Sequence, residues 1–255
     1  MPTLTIDNRK IEVADGTTLL DAARQAGVHV PSLCYLKDVQ AVGSCRVCIV
    51  EVEGAKTLVA SCVTPAGEGM KVHTNTPKVR EARRTVVDLI LSDHEGDCQT
   101  CDRSGDCELQ DLAYEYEVKG DEYTGGVQHD YPIDDPNPFI QVDRNKCILC
   151  RRCVRACNYI NGVEAISVVY RGFNAKIAFG MDSTLQDSPC EFCGMCVELC
   201  PTGSLLPKAS IGLGRPWNTT KTTTICPYCG VGCTVDLNIR DGNITKVTSN
   251  WDGPA

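Results

Sequence analysis

Eighteen cysteines fall into five groups, and every group contains a pair separated by two residues. The groups are Cys34, Cys45, Cys48 and Cys62; His94 with Cys98, Cys101 and Cys107; Cys147, Cys150, Cys153 and Cys157; Cys190, Cys193, Cys196 and Cys200; and Cys226, Cys229 and Cys233. No cysteine lies outside a group. Thiolates at short fixed spacing chelate soft metals, whereas a disulfide framework belongs to secreted chains and has no reason to repeat C-x2-C in every group. Paired C-x2-C is also zinc-ribbon spacing, but zinc sites do not typically produce the run C-x2-C-x2-C-x3-C, which is iron–sulfur spacing.

The first group has gaps of ten, two and thirteen residues, a variation on the plant-type [2Fe-2S] pattern with a longer first gap. Gly43 and Ser44 suit a loop wrapped closely around such a centre. The second group, His-x3-Cys-x2-Cys-x5-Cys, fits either zinc or a [4Fe-4S] cluster, and the company it keeps favours iron. Neutral imidazole in place of a thiolate removes one negative charge and raises the expected potential, which suits a junction. His29, His73 and His129 lack ligand spacing and read as surface or packing residues.

The third and fourth groups share one spacing and repeat at an offset of 43 residues, an internal duplication. In this pattern the fourth cysteine serves the neighbouring cluster. Cys147, Cys150 and Cys153 are therefore expected to bind with Cys200, and Cys190, Cys193 and Cys196 with Cys157. Pro201 follows the second half, while Asn158 stands at the equivalent place in the first. Ile148, Leu149, Phe192 and Met195 lie between ligands and would exclude water. Arg151, Arg152 and Arg155 would offset cluster charge or dock an acidic partner.

The surrounding pattern is α+β and modular. Residues 3–13 alternate about a polar turn, Thr18 and Asp21 resemble a capping box before an apolar helix face, Gly27 and Pro31 close that helix, and strands are expected at 48–53 and 57–61. Hairpin, helix, then strands is the order of a ubiquitin-like β-grasp. Val79, Ala82, Val86, Leu89 and Ile90 have helical spacing and place His94 just past a helix end. Residues 119–138 read as a linker, 166–170 and 175–179 as a hairpin between the duplicated halves, and Asp241-Gly242 as the turn of another. The expected modules are a β-grasp [2Fe-2S] domain (1–76), a helical segment with one histidine and three cysteine ligands (77–118), the linker, a two-cluster ferredoxin-like domain (139–207), and the hairpin start of a further module (208–255).

A formal charge of −8 argues against nucleic acid as a partner, because phosphate binding needs concentrated Lys and Arg. The N-terminus has no apolar leader and no stretch is long enough to be a transmembrane segment, so a cytoplasmic protein is expected.

From Met1 to about Pro207 the chain resembles the electron-input region shared by [FeFe] hydrogenases, the large iron–sulfur subunit of respiratory complex I and NAD-linked molybdenum or tungsten formate dehydrogenases. Beyond Pro207, Cys226-Pro227-Tyr228-Cys229-Gly230-Val231-Gly232-Cys233 is similar to the opening of the molybdopterin domain of formate dehydrogenases, and hydrogenase active-site motifs are absent. The resemblance implies the N-terminal iron–sulfur region of a formate dehydrogenase alpha subunit. Such a region carries one [2Fe-2S] and three [4Fe-4S] clusters and passes electrons between a flavin/NAD-binding iron–sulfur subunit and a catalytic subunit or ferredoxin. The family's fourth cysteine, the lysine after it and the pterin-binding body are absent from these 255 residues. This implies an oxidoreductase subunit without a complete catalytic site, most simply a truncated product. Cys226, Cys229 and Cys233 would bind a further [4Fe-4S] cluster, a [3Fe-4S] cluster, or none. A free-standing polyferredoxin-like carrier, the electron-input subunit of a complex I-like or hydrogenase-like complex, and a zinc-bearing interaction module are the alternatives.

Overall fold

The computed structural model describes residues 1–94, 96–123 and 129–250. The chain divides into two compact units, Met1–His94 with Leu112–Gln128, and Glu95–Asp111 with His129–Ala255.

In the first unit β1 (Thr3–Ile6) and β2 (Arg9–Glu12) form an antiparallel hairpin. Asp7 and Asn8 turn it with φ of 44° and 69°, the left-handed pair that matches strand twist in a two-residue turn. The helix α1 (Leu19–Gln25) begins where Thr18 Oγ1 accepts from the Asp21 amide at 3.1 Å. Its buried Leu19, Leu20, Ala22 and Ala23 pack with Leu4, Ile6, Val50 and Val72. Strands β3 (Ile49–Val52), β4 (Val59–Ala60) and β5 (Lys71–His73) complete a sheet of order β2-β1-β5-β3-β4, in which β5 lies parallel to β1. β5 escapes the sequence reading because three residues with one apolar member show no alternation.

The helix α2 (Pro77–Leu91) starts at Thr76, whose hydroxyl accepts from the Val79 amide, with Pro77 in the first turn, where a missing N–H costs nothing. Arg83 from this helix is buried and donates to the Ile49 carbonyl at 2.7 Å and to the Tyr116 hydroxyl at 3.2 Å. The division between the units falls inside α3 (Glu108–Glu115).

The second unit contains β6 (Ile140–Val142), α4 (Arg152–Arg155) running into a wider turn at Ala156–Ile160, the hairpin β7 (Ile166–Val169) and β8 (Lys176–Phe179), α5 (Met195–Leu199), and β9 (Leu205–Pro207). β9 returns antiparallel to β6 and closes this region. The last part is a sheet of β10 (Thr220–Ile225), β11 (Thr234–Arg240) and β12 (Asn243–Ser249). The hairpin expected at the end thus has a third strand: β10 is exposed throughout, so its sequence lacks the alternation that marks a half-buried strand.

Of the stretch read as a linker, 124–128 lies outside the described residues, as do 251–255 of the terminal module. From His129 the chain belongs to the second unit, where Asp134 and Val142 exchange backbone hydrogen bonds and Asn137 Nδ2 donates to the Ile140 carbonyl. Among the described residues no helix is long and apolar enough to cross a membrane.

Candidate metal centres

The β3–β4 ladder, with Ile49 opposite Ala60, brings Cys48 and Cys62 together at one end of the first sheet. The Ser61 amide and hydroxyl both donate to the Cys48 carbonyl, at 3.1 and 2.7 Å. Cys34 and Cys45 arrive on the loop after α1, which Gly43 and Arg46 bend with φ of 59° each. A Cβ on Gly43 would stand 3.2 Å from both Val63 methyls, a second reason for glycine there. Tyr35 ties this loop to α1: its hydroxyl donates to Asp21 at 2.5 Å, and Arg24 lies 4.3 Å from its ring centre. Burial and the Asp21 carboxylate push the Tyr35 pKa up to about 12.

Cys34, Cys48 and Cys62 are buried and Cys45 is half-buried. The four thiols hydrogen-bond among themselves. Cys45 and Cys62 hold Cys34 well below the usual thiol range, and Cys62 lowers Cys48 to about 6 despite its burial. Cys45 and Cys62, sharing their protons with those thiolates, are raised. Four touching thiols therefore ionise only in part by themselves; full ionisation needs positive charge at their centre, which iron would supply.

In the second unit the duplicated halves repeat in three dimensions. Leu149 and Phe192, at offset 43, have φ of 51° and 53°, and Arg151 and Gly194, at the same offset, have 61° and 79°. The Leu149 amide points to Cys147 Sγ at 3.5 Å, and the Phe192 amide to Cys190 Sγ at 3.4 Å. Each half thus folds one loop whose left-handed residues turn amides onto sulfur, which favours the charged thiolate. Asn161 Nδ2 adds a contact of 2.7 Å to Cys193 Sγ.

Cys147, Cys150, Cys153 and Cys200 line one cavity with Ile148, Ile177, Phe179 and Leu205. Burial pushes Cys147 up to about 11 and Cys150 to about 12, with neighbouring Cys200 adding to both. Burial raises Cys153 further, and Cys150, Cys147 and Cys200 act on it in turn. On the other side, burial lifts Cys196 to about 12 and also raises Cys190, and Cys157 adds to each. Cys200 thus lines one cavity with the first three cysteines of the other half, and Cys157 lies near enough to Cys190 and Cys196 to act on both. Thiols so desolvated stay protonated until a cation offsets the cost of ionising them, which fits a cluster site.

Cys98 and Cys101 sit on a turn held by Asp97, which accepts from the Thr100 hydroxyl at 2.6 Å, and Cys107 precedes α3, with burial pushing it up to about 11. These three belong to the second unit and His94 to the first. Cys226, Cys229 and Cys233 lie between β10 and β11. The Cys226 amide donates to the Cys233 carbonyl at 2.8 Å, and Cys229 and Cys233 are exposed. Among the described residues no three His, Cys, Asp or Glu groups gather as a single-ion site. His73 pairs with Glu53 at 3.1 Å, a surface contact. Sequence reasoning missed Arg83, Tyr35 and the partner of Arg152, because each acts through a residue at least 14 positions away.

Thiol groups held in this way define an iron–sulfur protein, in which metal clusters do the redox work and the polypeptide sets their surroundings. Family comparisons agree stretch by stretch. Residues 1–77 match the 2Fe-2S iron-sulfur cluster binding domain, and 83–121 the NADH-ubiquinone oxidoreductase-G iron-sulfur binding region. Residues 137–206 match the ferredoxin-like domain of NADH-quinone oxidoreductase subunit 3, and 219–255 the molybdopterin oxidoreductase Fe4S4 domain. A chain in the crystal structure of NAD+-reducing [NiFe]-hydrogenase in the H2-reduced state is 32% identical, with a TM-score of 0.76; the match covers 84% of this chain and 90% of that one. The chain belongs to the family of iron–sulfur electron-transfer subunits found in NAD-reducing hydrogenases and NADH-quinone oxidoreductases.

The alpha subunit of the NADPH-Fe(3+) oxidoreductase of Geobacter sulfurreducens is 42% identical over 98% of this chain and 29% of its own length. Subunit HndD of the NADP-reducing hydrogenase of Solidesulfovibrio fructosivorans is 44% identical over 81% of this chain and 36% of its own. The chain thus spans about a third of the length of these relatives. The stretch with Cys226, Cys229 and Cys233 falls in a domain whose description names molybdopterin oxidoreductases in general and no substrate.

Proposed function

We propose that this chain relays electrons, one at a time, in a cytoplasmic complex between a flavin/NAD-bearing iron–sulfur partner and a molybdopterin-type catalytic site of the formate dehydrogenase kind. Clusters supply the one-electron chemistry when bound; the chain's residues hold them, orient amides to sulfur and exclude water. The proposed ligands are Cys34, Cys45, Cys48 and Cys62 for a [2Fe-2S] cluster on a β-grasp sheet, and His94, Cys98, Cys101 and Cys107 for a [4Fe-4S] cluster. Two further [4Fe-4S] clusters take Cys147, Cys150, Cys153 with Cys200, and Cys190, Cys193, Cys196 with Cys157. Cys226, Cys229 and Cys233 contribute to one further cluster, [4Fe-4S] or [3Fe-4S].

The observation that carries the reading is the cavity that Cys147, Cys150, Cys153 and Cys200 line together, because it gathers thiols from both halves of the duplication at one place. The formate dehydrogenase part of this reading rests on the Cys226–Cys233 motif, which falls in the stretch matched by the molybdopterin oxidoreductase Fe4S4 domain. A second reading, favoured by the identity to the Fe(3+) oxidoreductase alpha subunit over nearly the whole chain, keeps the relay but places NADPH oxidation at one end and no formate at the other.

Iron and acid-labile sulfide analysis with EPR of the reduced protein tests the relay. One rhombic [2Fe-2S] signal with three or more [4Fe-4S] signals is expected, and stoichiometric zinc without sulfide overturns it. Anaerobic addition of formate, then of NADH or NADPH, to the complex purified with its flavoprotein and catalytic partners separates the two readings: bleaching of the clusters by formate supports the first, and bleaching by pyridine nucleotide but not by formate supports the second.

A further inference from the structure

Glu108 opens α3 directly after Cys107, and Arg152 opens α4 directly before Cys153. Although 44 residues apart, they form a fork: Arg152 Nη1 and Nη2 donate to Glu108 Oε1 and Oε2 at 2.5 and 2.8 Å. The arginine side chain is 11% exposed and the glutamate 46%. The backbone is drawn together at the same place. The Glu108 amide donates to the Pro201 carbonyl at 3.0 Å, Arg103 donates to the Cys200 carbonyl at 3.2 Å, and a Cβ on Gly203 would stand 2.8 Å from Cys101 Sγ. A fixed pair of opposite charges thus lies between the thiols of the Cys98–Cys107 turn and those that line the Cys147–Cys200 cavity.

Burial works against the charged guanidinium, yet Glu108, its fork partner, with smaller contributions from nearby Cys150 and Cys200, holds the Arg152 pKa above its usual value. A pair of this kind, with one buried and one half-exposed partner, adds little net stability, since desolvating the guanidinium costs about what its attraction to the screened carboxylate returns. Its larger effect falls on charges that change beside it. Cluster reduction adds one negative charge; a nearby guanidinium stabilises that charge and a nearby carboxylate opposes it.

We propose that the Glu108–Arg152 pair sets the reduction potentials of the two iron–sulfur sites it joins. Arg152 raises the potential of the Cys147, Cys150, Cys153 and Cys200 site, and Glu108 lowers that of the site containing Cys107. Both residues act through the clusters' surroundings and are not ligands. The inference rests on the ligand sets proposed above.

The test is EPR-monitored redox titration of the intact, cluster-loaded protein and its Glu108→Gln, Arg152→Gln and double variants, with iron and sulfide counted in each. Glu108→Gln shifts potentials up and Arg152→Gln shifts them down. The arginine effect is the larger because water screens Glu108, and it amounts to roughly a tenfold change in the reduced-to-oxidised ratio, about 59 mV for one electron. The double variant falls between the singles, and Arg152→Lys keeps most of the original value, results that a merely structural role would not produce. Shifts of the same sign in both single variants, or none while all clusters are retained, overturn the proposal. If Arg152→Gln loses iron, the half-exposed Glu108→Gln carries the test, and an unmoved potential there is decisive. Absence of iron and sulfide from the unaltered protein would instead defeat the ligand reading.

Discussion

In the first unit two buried cysteines, Cys48 and Cys62, join a core otherwise built of aliphatic residues under a five-stranded sheet. In the second, Cys153, Cys157, Cys196 and Cys200 are themselves core residues, and the strands beside them make only two-stranded ladders, β6 with β9 and β7 with β8. Two-stranded ladders are marginal in water by themselves. The thiols differ in the same sense: those of the first unit already share protons in one touching group, whereas Cys147, Cys150, Cys153, Cys190 and Cys196 of the duplicated halves are each raised by burial. One unit is a fold that carries a metal site; the other is a metal site around which the fold closes.

Metal removal should break this comparison most visibly. With iron and sulfide stripped under reducing conditions, hydrogen exchange is expected to lose protection across 140–207 and to keep it in β1 to β5. Equal loss in both units would refute the contrast.

Smaller effects sharpen it. Arg83→Ala leaves the Ile49 carbonyl and the Tyr116 hydroxyl without their buried donor and should cost the first unit about 3 kcal/mol in chemical denaturation. Gly203→Ala forces a methyl against Cys101 Sγ; a loss of about 2 kcal/mol is expected, with lowered iron content confined to the second unit. Thr18→Ala removes the α1 cap and should cost about 1 kcal/mol, read as a lower denaturation midpoint of the first unit with iron content unchanged.

Much of this was legible beforehand wherever the signal is local. A hairpin turn within Asp7 to Lys10, which the structure narrows to Asp7 and Asn8, the Thr18 cap, the helix ending before His94 and both halves of the duplication follow from neighbours a few residues apart. β5 and β10 were not legible. The first is too short to alternate, and the second has no buried face to give a pattern. The motif at Cys226–Cys233 pointed to formate dehydrogenases, while the family match supports the broader molybdopterin oxidoreductase domain. Ligand spacing records the shape of a loop and carries no information about a substrate bound elsewhere.

The sequence by itself determined which residues can ligate iron and how their loops bend, because ligand spacing, capping and left-handed turns are set by chemistry within one or two turns of chain. Only the tertiary structure decided what stands beside those loops: Arg83 under Ile49 and Arg152 forked onto Glu108. Those contacts join residues 34 and 44 positions apart, where the ends meet only after the whole unit has closed around its core.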